Sequence, residues 1–331
     1  MATAAPCLSE IPRDTLQAQF RAEVLQGLSQ PRKAIPARWF YDRRGSELFE
    51  EITQLEEYYP TRTEIGILTD RQDEIGRAVG SGRVIVEFGA GSATKTPLLL
   101  DAAAPSAYLP IDISGDFLRD ACGPLEDSYP ELPIVPAEAD FMQPIAIEAL
   151  LPDGMEQEQR LGFFPGSTIG NMEPRAAIDL LRSMRETLGP DSLLLIGMDR
   201  VKPRPVLEAA YDDARGVTAA FNLNLAARIN RELDGSLPLD GLRHRAVWND
   251  RHARIEMHLV AQRDIGFEVC GRHFTMDEGE TIHTENSHKY DMRSAATLLL
   301  GGGWEPLSTW CDEDSRFMVV LARAMRNDLS A

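Results

Sequence analysis

The run HTENSHKY at residues 283–290 carries a carboxylate, Glu285, two positions from a hydroxyl, Ser287, and contains no aliphatic side chain. On an extended segment, residues two apart project to the same side, so these two groups would address one ligand together. The octet also reads as a solvated turn, because Asp, Glu, Asn and Ser favour exposed loops and local backbone bonds. Far upstream, VIVEFGAGSATKT places Gly89 and Gly91 at a strand-to-helix turn, where missing side chains let the backbone approach a ligand. Thr94 stands where a GxGxxG loop would have its third glycine, so the dinucleotide fingerprint is incomplete.

Acids follow at successive strand ends. Glu87 precedes the glycines, Asp112 in PIDIS closes the next strand, and Asp140-Phe141 follow the third. An acid about twenty residues after a glycine loop can hold ribose hydroxyls at the carboxyl edge of an open sheet. Two cofactors suit this pattern, a nicotinamide dinucleotide and S-adenosylmethionine (SAM). The missing glycine and the further acid loops favour the second. Lys95, on the first turn of the following helix, either reaches a cofactor carboxylate or is solvated.

From residue 83 the apolar runs RVIVEFGAG, AYLPIDIS, PIVPAEAD, RLGFFPGS and SLLLIGMD alternate with helical patterns. Strands buried on both faces read as continuous apolar runs, and parallel neighbours need crossovers. The segments TPLLLDAAA, GDFLRDACGPL, PIAIEALL and PRAAIDLLRSMRETL supply them. The fold class is therefore α/β, a Rossmann-like parallel sheet. The pair PLSTWC and RFMVVLARA adds an antiparallel hairpin resembling the terminal strands of class I methyltransferases.

Elsewhere the pattern differs. LQAQFRAEVLQGL is an amphipathic helix, and Ser46 can cap a second helix that Pro60 would end. Between residues 204 and 290 a long helical stretch is followed by strands, with Ile255, Met257 and Leu259 alternating as on a half-exposed strand. These shifts divide the chain into an N-terminal helical segment expected to join the substrate domain (1–62), a cofactor-binding sheet domain (63–203), an inserted α+β domain expected to bind substrate (204–290) and a return to the sheet (291–331).

The formal charge of −18 over 331 residues argues against nucleic acid, whose phosphates require clustered Lys and Arg. No apolar run is long enough for a membrane span, and the N-terminus lacks a signal-peptide pattern, so the expected compartment is the cytoplasm. Cys7, Cys122, Cys270 and Cys311 are scattered, which suggests reduced thiols and no metal site. Oligomeric state is not legible.

Four segments taken together, WFYDRRGSELFEEITQLEEYYPTRTE, VEFGAGSATKT, PGSTIGNMEP and TENSHKY, resemble the histidine-specific Nα-methyltransferases of ergothioneine biosynthesis, with similarity over nearly the whole chain. The resemblance implies a SAM fold with an inserted substrate domain and conversion of L-histidine to its trimethyl betaine, hercynine. Its cofactor positions fall on Gly89, Lys95, Asp112, Asp140 and Phe141, and its histidine-binding positions on Tyr58, Asn171, Tyr211, Glu285 and Ser287. Tyr41, Phe49 and Met257 match residues lining the same pocket.

On this reading Glu285 and Ser287 bind the imidazole, whose two nitrogens need an acceptor and a partner of either role. Packing alone is the competing account of the tyrosines, and a helix N-cap that of Asn171. No general base is assigned, since methyl transfer depends mainly on positioning and His283 and His288 read as solvated loop residues. A related enzyme acting on another amino acid such as tryptophan, one stopping short of three methyl groups, and a non-catalytic cofactor-binding module would share the cofactor motifs.

Overall fold

The computed structural model describes residues 13–326; Cys7 lies outside them. They form two compact units, residues 60–200 with 290–326 and residues 13–59 with Val201–Lys289. In chain order, helix α1 (Arg13–Leu28), strand β1 (Lys33–Ala34) and helix α2 (Arg43–Thr53) lead into α3 (Tyr59–Asp70) and α4 (Gln72–Val79). Next come β2 (Val84–Phe88), α5 (Thr96–Ala103), β3 (Ala107–Asp112), α6 (Gly115–Ser128), β4 (Ala137–Glu138), β5 (Arg160–Phe164), α7 (Pro174–Leu188) and β6 (Leu193–Asp199). The chain continues through α8 (Arg204–Ala209), α9 (Val217–Glu232), β7 (Leu242–Asn249), β8 (Arg254–Ala261), β9 (Ile265–Val269), β10 (Arg272–Met276) and β11 (Thr281–His288). It ends with α10 (Met292–Gly301), β12 (Trp304–Cys311) and β13 (Phe317–Ala324).

The first unit is built on a seven-stranded sheet in the order β12-β13-β6-β5-β2-β3-β4. Strands β6 to β4 run parallel, and the β12–β13 hairpin is antiparallel. Every residue of β2, β5 and β6 is buried, as expected when helices cover both faces. Val84, Val86 and Phe88 pack on one side, and Ile85 on the other. Strand order reverses at β2, with β3 on one flank and β5 on the other, and ligands of open α/β sheets bind at the carboxyl ends of such a switch point.

The second unit has a four-stranded sheet, β1-β11-β8-β7, and a β9–β10 hairpin. Cys270 and Gly271 both take positive φ at that hairpin, the geometry of a tight primed turn. A single apolar cluster joins Phe20 and Val24 of α1, Ile52 of α2, Phe221 and Leu225 of α9, and Ile255, Met257 and Leu259 of β8.

Several local expectations are corrected. Asp42, not Ser46, caps α2, accepting from the Gly45 N–H at 2.7 Å, while Ser46 is buried inside the helix. That helix stops at Thr53, and Pro60 sits in the first turn of the next, where its missing N–H costs nothing. PIAIEALL contributes only a 3-10 turn at Ile147–Ala149. The long helical stretch after residue 204 breaks in two, because the Asp213 carboxylate accepts from the N–H groups of Val217 and Thr218 and so starts α9. Strand β8 is buried almost throughout rather than half exposed, since its polar face is covered as well.

Candidate active site

Three loops at the carboxyl edge of the first unit's sheet carry the glycine–acid pattern. Gly89 (φ 73°) and Gly91 (φ 52°) adopt left-handed backbone that favours glycine. A Cβ on Gly89 would lie 3.5 Å from the Phe141 ring, so the loops after β2 and β4 meet there. The Gly91 N–H donates to Asp112 Oδ2 at 3.1 Å, and the Ser114 N–H to Oδ1 at 2.9 Å. Burial pushes the Asp112 carboxyl above its usual range, against these two backbone bonds. Asp140 accepts from the Met142 N–H at 3.0 Å, turning its loop so that Phe141 packs edge-on against Phe88 and Phe164.

Two positions assigned to the cofactor are held by protein groups. Lys95 donates to Glu64 Oε2 at 2.6 Å, and the Gly166 N–H reaches the same oxygen at 2.8 Å. Glu87 is fully buried and accepts from Thr96 Oγ1 and the Tyr108 hydroxyl, each at 2.7 Å. Desolvation raises Glu87 to about 7 despite those bonds. Both carboxylates tie the glycine loop and its helix to neighbouring elements; Glu64 closes the quoted segment ending YYPTRTE, but its role depends on Lys95, 31 positions further on.

Asn171 is half-buried at the end of the 3-10 turn Thr168–Asn171, after β5, the neighbour of β2. It is not the N-cap of α7; Glu173 occupies that position, without a side-chain cap bond.

The remaining positions lie in the second unit. Tyr41, Phe49, Tyr58 and Tyr211 form a chain of rings, with centroids 5.7 Å apart for Tyr41–Phe49, 6.2 Å for Phe49–Tyr58 and 6.1 Å for Tyr58–Tyr211. Phe221 of α9 packs against both Tyr41 and Phe49, which the motifs did not indicate. Tyr211 is buried rather than on a packing surface, and its hydroxyl lies 2.7 Å from Ser287 Oγ.

HTENSH, the first six residues of the octet, lies in strand β11 rather than in a turn, and the register contains an irregularity. His283 pairs with His258, but Glu285 pairs with Met257 and Ser287 with Ile255, so Thr284 is an extra residue in β11. A one-residue slip moves every later side chain to the other face. Without it Glu285 would stand opposite Glu256; with it, Glu285 and Ser287 share the face of Met257 and Ile255, which belongs to the aromatic cluster. The Thr284 hydroxyl donates to Asn222 Oδ1 at 2.8 Å and to the Met257 carbonyl at 3.0 Å, fixing the bulge against α9.

Glu285 keeps some exposure, yet protein encloses its carboxyl closely enough that desolvation raises it to about 8, with Lys289 pulling the other way. Lys289 is the residue that motif reading passed over. It is buried, donates to the Tyr211 hydroxyl at 2.9 Å and to Ser287 Oγ at 2.8 Å, and lies 4.7 Å from the Tyr211 ring centroid. The available signal was its place two residues beyond Ser287, just past the end of β11.

The two histidines of the octet are not solvated loop residues. His283 stacks on His258 with ring centroids 4.9 Å apart, and His288 is buried with Nδ1 3.2 Å from the His252 carbonyl. On this opposite face Glu256, His258 and His283 bring donor atoms within 4.8 Å of one another. Arg254 is already paired with Glu256, and Arg245 stands across from His258, so a cation there would meet two guanidinium groups.

Residues 20–324 match the family model described as SAM-dependent histidine-specific methyltransferase. The chain is 38 % identical over 315 residues to the histidine N-alpha-methyltransferase of Mycolicibacterium smegmatis, covering 93 % of this chain and 96 % of that one. It is 28 % identical to ergothioneine biosynthesis protein 1 of Neurospora crassa, covering 88 % of this chain and 33 % of the longer protein. Similarity extends to the 4-dimethylallyltryptophan N-methyltransferase of Claviceps fusiformis, at 25 % identity over 92 % of this chain and 91 % of that one.

Proposed function

The chain belongs to the SAM-dependent histidine-specific methyltransferases, and from that membership we propose that it carries L-histidine through three Nα-methylations to the betaine hercynine, for ergothioneine biosynthesis. Within the second unit Glu285 and Ser287 take the imidazole, Tyr211 backs Ser287 through its hydroxyl, and Tyr41, Phe49, Tyr58 and Met257 line the pocket; Asn171, carried by the first unit, is the candidate for the amino-acid head group. The observation that carries this reading is the bulge at Thr284, which turns a carboxylate and a hydroxyl together onto the aromatic face of their sheet.

The glycine–acid edge fits the cofactor. Gly89 and Gly91 leave room for a ligand close to the backbone, and a carboxylate accepts at about four lone-pair sites, so Asp112 retains capacity for ribose hydroxyls beyond Gly91 and Ser114. Donors from a ligand would also offset the burial that disfavours its charge. Asp140 and Phe141 serve the adenine side, with Glu87, Lys95 and Glu64 holding the loop beneath. When bound, the cofactor supplies an electrophilic methyl group on a sulfonium.

The protein positions the amine and leaves proton removal to water. Each transfer would form an N–C bond as the donor's S–CH3 bond breaks, its electron pair leaving with the neutral thioether, and requires a neutral amine; the proton on nitrogen is lost to solvent before the first attack and again after the first and second. Holding the ring fixes the substrate's orientation, and orientation supplies most of the acceleration. As methyl groups accumulate, the faces of Tyr41 and Phe49 are suited to a quaternary ammonium.

A tryptophan-like substrate is the second reading, favoured by the ring-lined cluster and by the indole-substrate relative. An indole offers only an N–H donor, which leaves one of the Glu285–Ser287 pair unmatched. Incubation with SAM and each of the twenty amino acids, followed by mass spectrometry, tests the assignment: trimethylated histidine is expected, whereas methylation of tryptophan with histidine untouched would replace it.

The substrate is a small molecule, the charge of −18 disfavours nucleic acid, and we place the enzyme in the cytoplasm. Among the described residues no helix is long and apolar enough to cross a membrane.

A further inference from the structure

We propose that Lys289 is a positioning residue that sets the proton of Ser287, so that the site accepts one neutral tautomer of the imidazole. This rests on the assignment of Glu285 and Ser287 to the ring. The premise is the triangle formed by Lys289 Nζ, Tyr211 Oη and Ser287 Oγ, with sides of 2.9, 2.8 and 2.7 Å.

An ammonium has three donors and no acceptor, whereas a hydroxyl has one donor and two lone pairs. Lys289 must therefore donate to both oxygens and occupies one lone pair on each. The short contact between the two hydroxyls uses the proton of one and a second lone pair of the other. Lys289 acts on both oxygens alike, so the greater acidity of a phenol than of an alcohol decides the contact, and Tyr211 is taken as its donor. Ser287 has then accepted twice and has no acceptor left, and its own proton points outward.

A ring nitrogen meeting Ser287 must consequently offer a lone pair. Its counterpart, meeting the Glu285 carboxylate, must offer an N–H. That pattern belongs to a single neutral tautomer of imidazole. It excludes rings with two donors, and it excludes rings whose only nitrogen is a donor, because these leave the serine proton unpaired in a buried place. Without Lys289 the serine would again be able to donate or accept, and the site would lose this discrimination.

Lys289 also lies close enough to Glu285 to act on its charge, and it is 3 % exposed. Lys289 follows directly after β11, and its Nζ reaches back to Ser287 Oγ, on the face that the bulge gives to Glu285 and Ser287. The proposal places the ammonium behind the hydroxyls, not against the reacting amine, so its loss should affect recognition more than chemistry.

The test uses L-histidine labelled with nitrogen-15 in the ring, bound to the whole protein with S-adenosylhomocysteine. In the wild type one ring nitrogen should carry a proton and the other should not. In K289M the two resonances should move toward the average of both tautomers, KM for histidine should rise roughly tenfold to a hundredfold, and kcat should stay within about threefold. An unchanged tautomer in K289M, or a fall in kcat at constant KM, overturns the proposal. S-adenosylhomocysteine affinity reports folding; if K289M loses it, K289Q, whose amide can still donate to both oxygens, should keep the wild-type tautomer, and averaging of the two resonances there would overturn the proposal. Failure of the wild type to bind histidine would instead refute the substrate assignment.

Discussion

The hydroxyls of Tyr211 and Ser287, 76 positions apart in the chain, meet at 2.7 Å. The contact joins the segment following α8 to the last strand of the second unit, and a ligand group touching one oxygen is felt at the other. Removing the serine hydroxyl should leave the ring nitrogen without its partner and take one of its acceptors from Lys289. S287A is expected to lower kcat/KM for histidine by about 10- to 100-fold, mainly through KM, as for loss of a hydrogen bond involving charge. Y211F should cost less, because the ring and its packing remain. Steady-state kinetics on the two variants checks the order.

Glu285 makes stability depend on pH in a direction opposite to that of a paired carboxylate. Its folded pKa, raised to about 8, exceeds the unfolded value, so the folded state holds the proton more tightly. Its stabilising effect is present below about pH 4 and is lost as pH rises toward 8. E285Q should accordingly gain thermal stability over the wild type as pH rises from 5 to 8. Allowing for partial exposure, the gain at pH 8 should be on the order of 2 kcal/mol. A melting-temperature difference that stays constant over that range would contradict this.

The bulge at Thr284 aims the two ring contacts, and its hydroxyl is tied to Asn222 and to the Met257 carbonyl. T284V keeps the shape but removes both bonds and leaves Asn222 Oδ1 short of a donor. A destabilisation of about 1–3 kcal/mol is expected, with KM for histidine rising more than that for SAM. Urea unfolding and kinetics with each substrate varied in turn would measure both.

Glu64 is 0 % exposed and accepts from Lys95 and Gly166. E64A would leave a mostly buried ammonium without its counter-charge, a loss of about 3–5 kcal/mol when one partner of such a pair is removed. A Cβ on Gly197 would lie 1.9 Å from Glu64 Oε1, so G197A should disturb the same carboxylate. Denaturant titration of E64A giving a change below about 1 kcal/mol would show that the pair acts as an exposed one does.

The parallel sheet was legible because buried strands such as VIVEF and LLLIGMD leave no polar face to confuse the pattern. Gly89, Asp112 and Asp140 were findable for the same reason, each standing at the end of such a run. What escaped reading depended on partners distant in the chain. The role of Lys289 requires Tyr211, the partner of Lys95 is Glu64 on another helix, and Asp42 displaces Ser46 as a cap because its carboxylate also reaches Asn224 of α9. Period-two alternation misplaced nothing after Thr284, but it could not reveal the bulge, since an extra residue leaves no mark in composition. His283 and His288 looked solvated for want of knowledge of the strands beside them.

The most direct test of the account is the ratio of kcat/KM for L-histidine to that for L-phenylalanine, in the wild type and in an E285A S287A variant that still binds S-adenosylhomocysteine. If the carboxylate and hydroxyl select the ring, the wild-type ratio should be on the order of 10⁴ or more, as for sites built to hydrogen-bond a polar substrate. In the variant it should collapse to within about tenfold of unity, the range left to apolar contacts alone. A ratio that survives both substitutions would contradict the account and place recognition of the ring elsewhere.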